Sequence, residues 1–374
     1  MPKRKCVFSE ELQKRFLDFS PGRNSSEAEC LNCPSGTFVS IPNKEIVETG
    51  NEKKKKREKK KKKRSMIEAE IENSQRIRRI EEVCYKHNLG LYKHTDDPPK
   101  LVHPPAPQYG VFYIDRKHNI SWCPIYKAAS TTWLHHLCLL AGYSEEQIVN
   151  SQRQLSEIAR EAYPELDYED AEKAFLTTLK LLVVRHPFSR ILSAYRDKLE
   201  NMQIGAEHGT IHYYRRYGRH IVAHYRHGGN STKTMTLLRP GQYIRDDTLP
   251  EPAGIEPTFE EFVRYLLDTD LSQRADDHWI PYYLYCTPCL LKYDVVAKVE
   301  TLARDQEFAL RRAGLWGLVR PQWRHRTATG GGAEAGRRYF SQLTKQQVTQ
   351  LYAKYWLDFE LFDYSPDEYI GYAR

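Results

Sequence analysis

The chain has 374 residues, a formal net charge of +8, and 40% hydrophobic and 12% aromatic residues. That hydrophobic content excludes a wholly disordered protein, and the length allows one large domain or two small ones. Eleven of the twelve residues Lys53–Arg64 are basic, a net of +10, so the rest of the chain sums to −2 and is not globally basic.

Residues 1–105 read as a low-complexity, largely disordered segment, and residues 106–374 as the folded domain, at about 270 residues long enough for one α/β core. Within the first part only Ile67–Tyr85 has a helix-like, highly charged pattern. The Lys53–Arg64 run reads as a solvated, disordered charge block in preference to a nuclear signal or nucleic-acid arm. No apolar run is long enough for a signal-peptide core or a membrane span.

Tyr109–Ile114 and Ile120–Ile125 are predicted to be neighbouring strands joined by Asp115–Asn119. Pro124 argues against a regular ladder to the end of the second. From Ser130 the periodicity turns helical, with Trp133, Leu134, Leu137, Cys138 and Ala141 on one face. The junction holds Tyr126, Lys127, Ala128, Ala129, Ser130, Thr131 and Thr132. Unpaired N–H groups and partial positive charge at a helix start attract an anion, small residues allow close approach, hydroxyls add donors, and Lys127 adds a full charge. The same residues also suit an ordinary Ser/Thr cap beside a solvated lysine.

Ser144–Gln147 is a capping box that opens a helix. Leu179–Val184, interrupted by Lys180, reads as a central strand of a covered sheet. Pro187 suits the first turn of the next helix, whose buried stripe is Ile191, Leu192, Ala194 and Tyr195. Arg185 falls at the C-terminal end of the strand, where open α/β sheets bind ligands. Alone, Arg185 and Ser193 read equally well as a surface arginine and a helix serine. Thr258–Glu261 opens a helix that buries Phe262, Tyr265 and Leu266. Asp294–Val299 is a strand, with a helix from Leu302. Arg324–Arg338, with Gly330–Gly332, reads as a mobile loop. Thr344–Gln347 caps the last helix, which turns Val348, Leu351, Tyr352 and Tyr355 inward. This alternation predicts an α/β fold with a parallel sheet flanked by helices on both faces.

The cysteines are at 6, 30, 33, 84, 123, 138, 286 and 289. Cys286-x-x-Cys289 admits zinc with Cys30-x-x-Cys33, a redox pair, or disulfides. Disulfides are favoured, either Cys286–Cys289 or to distant partners. Sequons occur at Asn24, Asn119 and Asn230. Asn230, in a glycine-rich loop, is expected to be the accessible one, and Asn119, at a strand start, to be buried.

Lys127-x-x-Ser130-Thr-x-Trp133, followed by Val184-Arg-x-Pro187-Phe-x-Arg190-x-x-Ser193-Ala-Tyr-Arg-Asp-Lys198, resembles the Golgi carbohydrate sulfotransferases. The nearest branch is the chondroitin, dermatan and N-acetylgalactosamine 4-O-sulfotransferases. Tyr217–Arg226, Asp277–Leu302 and Tyr355–Tyr364 resemble further family signatures in the family's order. Tyr126 stands where the family usually has proline, and His186 where aspartate is common. The resemblance implies a nucleotide-kinase-like sulfotransferase fold and the donor 3′-phosphoadenosine 5′-phosphosulfate. By it, Tyr126–Thr132 form the 5′-phosphosulfate loop. Arg185, His186, Pro187, Phe188, Ser189, Arg190, Ile191, Leu192 and Ser193 form the 3′-phosphate site. It further implies a glycosaminoglycan or glycoprotein glycan as acceptor and a Golgi membrane setting.

Sulfuryl transfer needs alignment of the reacting atoms and neutralisation of charge on the bridging oxygen, a task that suits Lys127. A sulfuryl group carries less charge than a phosphoryl group, so no metal is expected. His278, with Asp276 or Asp277 to orient it or raise its pKa, is the candidate base; a packed structural histidine is the competing reading. His186 is second. Arg196, Lys198, Arg215, Arg216 and Arg219 are candidate acceptor contacts or simply solvated helix faces. No nucleic-acid partner is expected, and the sequence does not decide whether the chain forms a homodimer. The rival readings are a non-catalytic glycan- or nucleotide-binding relative and, further off, a P-loop-like phosphotransferase. The latter's Gly-x-x-x-x-Gly-Lys-Ser/Thr is absent.

Overall fold

The computed structural model describes residues 50–99, 101–200, 210–226, 256–320 and 333–374. Four strands form one sheet in the order β1 (Tyr113–Asp115), β2 (Ile120–Cys123), β3 (Leu179–Val184) and β4 (Val295–Lys298). β2, β3 and β4 are parallel, with Trp122 opposite Leu181 and Leu181 opposite Val295. β1 instead runs antiparallel to β2, with Tyr113 opposite Trp122. Four residues separate the two strands, too few for a parallel crossover.

Side-chain alternation splits the sheet between two cores. Ile114, Cys123, Leu182, Val184 and Val296 face one, with Phe112, Phe175 and Tyr282. Tyr113, Trp122, Leu181, Val183, Val295 and Ala297 face the other, with Trp133, Leu134 and Leu137. Both faces are covered, so β3 reads as a continuous apolar run. A third cluster, around Phe188, Tyr195, Phe262, Trp279 and Tyr355, packs helices on one another beside the sheet. The capping boxes at Ser144, Thr258 and Thr344 all form.

Some expected elements differ. Tyr109–Val111 is a 3-10 turn, because the Tyr109 ring packs edge-on against Phe175 at 5.0 Å and winds the chain before the strand. Ala141 is exposed, past the end of its helix. Residues 333–338 of the expected glycine-rich loop are helical; Gly330–Gly332, Asn24 and Asn230 lie outside the described residues. Asn119 is exposed, in a left-handed turn (φ 54°) that asparagine tolerates.

The folded body also begins well before residue 106. Helix α1 (Gly50–Lys86) includes the basic run, and its C-terminal half buries Ala69, Ile80, Val83 and Cys84. It lies along the outer edge of β4. Asn73 acts there as a surrogate strand: its Nδ2 donates to Asp294 O at 3.0 Å, and Val296 N donates to its Oδ1 at 2.8 Å. Arg76 donates to Val296 O at 2.8 Å. An open edge is thereby closed. A lone charged helix carries little apolar periodicity, which is why its docking is not legible from the pattern.

Cys286 and Cys289 do not pair with each other. Cys84 joins Cys289 and Cys123 joins Cys286, with Cα separations of 5.5 and 5.9 Å. Cys286 ends a short helix beside β2, and the turn after it swings Cys289 towards α1. With both sulfurs consumed, zinc and redox roles for this pair are excluded. Gly90 (φ +54°) seats the chain against that turn: a Cβ there would lie 2.2 Å from Cys289 O.

Asn73→Ala removes both edge bonds and leaves Val296 N–H buried and unpaired. It should lower unfolding free energy by roughly 2–4 kcal/mol in a urea titration; a loss under about 0.5 kcal/mol would show that the edge needs no partner.

Candidate functional site

The parallel strands end at a common lip. After β2 the chain turns through Lys127 and Ala129, both left-handed (φ 68° and 61°), into α2 (Ser130–Leu140). Two non-glycine residues of this kind within three positions are strained and are held by what surrounds them. The first helical bonds, from Thr132 and Trp133, both return to Ala129 O, so the earlier N–H groups precede the ladder. Ala128 is fully buried, and Thr132 Oγ1 is buried without a partner. That orphaned hydroxyl, the helix start and Lys127 together make a cradle that fits an anion.

Lys127 Nζ pairs with Asp197 Oδ2 at 2.9 Å, and Lys198 Nζ with the same oxygen at 3.1 Å. Asp197 and Lys198 end α3 (Pro187–Lys198). Burial pushes Lys127 below the usual lysine range, with Asp197 opposing. Burial would raise Asp197, but the two lysines hold it at about 2.

Arg185 follows β3. Its side chain donates to Lys127 O at 3.2 Å. Its backbone is clamped by Tyr282: Arg185 N donates to the phenol oxygen at 2.9 Å and the phenol donates to Arg185 O at 3.0 Å. Tyr282 and Tyr283 in turn donate their N–H groups to the two oxygens of fully buried Asp358, whose pKa burial raises to about 7. Burial also depresses Arg185, with Glu300 opposing.

His278 completes the site. Its Nδ1 lies 2.7 Å from Asp276 Oδ1, which also accepts His278 N–H at 3.1 Å. Tyr217 donates to the other oxygen at 3.1 Å. Tyr213 Oη lies 3.2 Å from Nδ1. The imidazole stacks on Tyr126, ring centres 4.7 Å apart. Asp276 rather than Asp277 is therefore the orienting carboxylate, and it engages Nδ1, not Nε2. The expected rise in pKa does not occur: burial outweighs Asp276 and lowers it, helped by Lys198 and Lys127.

Arg190 joins these parts. It is 1% exposed. Nε donates to Tyr126 O at 3.1 Å, one guanidinium nitrogen to Ile280 O at 2.7 Å, and the other to Asp277 O at 3.2 Å. One side chain thus fixes the carbonyls just before Lys127 and just before His278.

A sulfotransferase family profile matches residues 111–365. The chain belongs to the sulfotransferase family. It is 30% identical over 268 residues to carbohydrate sulfotransferase 11 of Rattus norvegicus, covering 69% of this chain and 68% of the relative. It is 28% identical to carbohydrate sulfotransferase 8 of Mus musculus over 297 residues, 78% of this chain and 63% of the relative. It is also 28% identical to carbohydrate sulfotransferase 14 of Danio rerio over 310 residues, 82% and 76% respectively. No solved structure matches it.

In this sulfotransferase the two expected donor segments meet at one lip, but not every residue in them faces it. Phe188, Ile191 and Leu192 point into the helical core, and Pro187 is buried in the first turn of α3. Arg190 is a buried tie rather than a surface cation. Ser189 shares a hydrogen bond with Tyr369 at 2.5 Å, and His186 caps α3 and binds Ser365 O at 3.0 Å. Arg185 and half-buried Ser193 are the polar side chains left to a ligand in that stretch. Arg196 pairs with Glu200, whereas Arg215, Arg216 and Arg219 are exposed. Among the described residues, no group of three or more His, Cys, Asp or Glu is arranged to hold a metal, and no helix is long and apolar enough to cross a membrane.

Sequence reasoning missed Tyr213, Tyr217 and Tyr282, which act through hydrogen bonds across 59 to 97 residues of chain. It also missed Asp197 as the partner of Lys127, although both lie within the quoted motifs.

Arg190→Lys keeps the charge but cannot reach three carbonyls from one ammonium. It should lower stability by about 3 kcal/mol. It should also cut turnover roughly a hundredfold through misplacement of both loops. Unfolding and initial-rate measurements check the pair; a change in neither would remove Arg190 from the account.

Proposed function

We propose that the chain is a carbohydrate O-sulfotransferase that uses 3′-phosphoadenosine 5′-phosphosulfate and modifies an acidic glycan in the Golgi lumen. The 4-OH of N-acetylgalactosamine in chondroitin or dermatan is the preferred acceptor. The observation that carries this reading is the junction of Lys127 and the Asp276-oriented His278 across the Arg190 tie. A cation for the leaving group and a base for the nucleophile stand on neighbouring loops. The two disulfides support an oxidising compartment.

In this reading Lys127, the N–H groups at the start of α2 and the hydroxyls of Ser130, Thr131 and Thr132 hold the 5′-phosphosulfate. Arg185 and Ser193 hold the 3′-phosphate. Donor binding draws Lys127 from Asp197, and Asp197 retains Lys198. The acceptor hydroxyl oxygen bonds to sulfur as the bridging S–O bond breaks. The electron pair stays on the departing phosphate, where Lys127 offsets the charge. The hydroxyl proton passes to His278 Nε2, and Asp276 balances the imidazolium.

The test is transfer of labelled sulfate by the full chain to a panel of desulfated glycosaminoglycans and glycoprotein glycans, followed by disaccharide analysis. Label at the 4-position of N-acetylgalactosamine is expected. Label on another sugar overturns the acceptor. A folded protein that binds the donor product but transfers to nothing favours the non-catalytic relative.

A further inference from the structure

The basic half of α1 has no part in the site above. Seven of the eight residues Arg57–Arg64 are basic, a net of +6, so the rest of the chain sums to only +2. The segment is helical, and Arg57–Arg64 are exposed on every side. Eight helical residues rise about 12 Å, so the rod carries roughly one net charge per 2 Å. Lys62 pairs with Glu307 at 3.2 Å and lies 5.0 Å over the Trp316 ring; Arg64 pairs with Glu68 at 2.9 Å. Lys59, Lys60, Lys61 and Lys63 have no acidic partner among the described residues.

Such a helix is electrostatically unfavourable by itself. Like charges three and four apart repel, and cations sit at the positive end of the dipole. It is held because its continuation is fixed to the body by Asn73, Arg76, the Arg304–Glu72 pair and the Cys84–Cys289 disulfide. The chain therefore presents an exposed cationic helix that Glu307 and Glu68 neutralise only in part, and a linear polyanion relieves the remaining repulsion.

We propose that Arg57–Arg64 is a second, non-catalytic binding site for an acidic, sulfated polysaccharide, the polymer on which the site acts. This rests on the proposed acidic glycan acceptor. Two disulfides, one tying down this very helix, favour a lumenal polyanion over nucleic acid. Each transfer adds a negative charge to the polymer, so the rod holds the chain more tightly as its sulfation proceeds, and keeps it near the active site between transfers.

The test compares the full chain with a variant carrying Lys59→Gln, Lys60→Gln, Lys61→Gln and Lys63→Gln, which leaves Lys62 on Glu307 and Trp316. Binding of both to polymeric chondroitin sulfate, duplex RNA and phosphatidylserine vesicles is titrated against salt. Transfer to desulfated chondroitin polymer and hexasaccharide is measured alongside. For the variant we expect at least tenfold weaker polymer binding and a shallower salt dependence by about four counterions. KM should rise for the polymer but not for the hexasaccharide, with nucleotide binding unchanged and the thermal unfolding temperature not lowered. Unchanged polymer binding overturns the proposal, as does tighter wild-type binding to RNA or vesicles than to polysaccharide at equal salt. Because the binding arm needs no turnover, loss of the proposed reaction with the binding difference intact would fault the acceptor reading and not the rod.

Discussion

Lys127→Ala should lower kcat/KM for sulfate transfer about a thousandfold, more in kcat than in the donor's KM. In the proposed function the lysine is the cation at the strained turn that receives the leaving phosphate. Removing one neutral hydrogen-bond donor from a developing oxyanion costs about 10²–10³ in rate, and a full charge in a poorly solvated site should lie at the upper end. The charge on the bridging oxygen grows only as the bond breaks, so the loss belongs to the transition state. Lys127→Arg should not restore the rate, since the broader guanidinium does not replace an ammonium seated against Asp197. Initial rates over a range of donor concentrations check this. A fall of less than tenfold, in protein that still binds donor product, would remove Lys127 from the chemistry.

Asp276→Asn should lower kcat by 10²–10⁴ and move the acid limb of kcat/KM to lower pH. The drop arises because an amide does not hold His278 in the tautomer that leaves Nε2 as acceptor. The direction of the pH shift follows from charge. In the proposed reaction the base, His278, must be neutral, so activity falls as pH drops through its pKa. Burial, Lys198 and Lys127 depress that pKa, and Asp276 opposes them. The wild-type limb should thus lie below the ordinary histidine value of about 6.5, and loss of the carboxylate should take it lower. His278→Gln should lose the limb altogether. A pH–rate profile of the three proteins is sufficient. A limb unmoved by Asp276→Asn, or kept by His278→Gln, would assign the proton to another group.

The meeting of the two strand-to-helix junctions at one lip was legible because its signals are local. A β-branched run, a small-and-hydroxyl turn and an amphipathic helix each follow from neighbours a few residues apart, and Lys127 and Arg185 sit where those periods change. The three capping boxes were legible for the same reason: Ser144, Thr258 and Thr344 each bond within three residues. Where a local rule misled, a distant contact had prevailed. Tyr109 left the strand for Phe175. Of the two disulfide readings left open for Cys286 and Cys289, the distant one holds, with partners 163 and 205 residues away. Arg190 looked like a ligand cation because it lies in the motif, yet the fold uses it to satisfy three carbonyls.

By itself, then, the sequence determined the α/β class, the parallel centre of the sheet, the sulfotransferase resemblance and the two segments that meet at the lip. The physical reason is that periodicity, turn chemistry and capping act over one or two turns of chain. Only the tertiary structure decided that α1 closes the edge of β4, that Asp276 rather than Asp277 holds His278, and that burial lowers the histidine instead of a carboxylate raising it. Hydrogen-bond pairing, desolvation and disulfide choice depend on which surfaces are brought together in space, and spacing along the chain does not encode that.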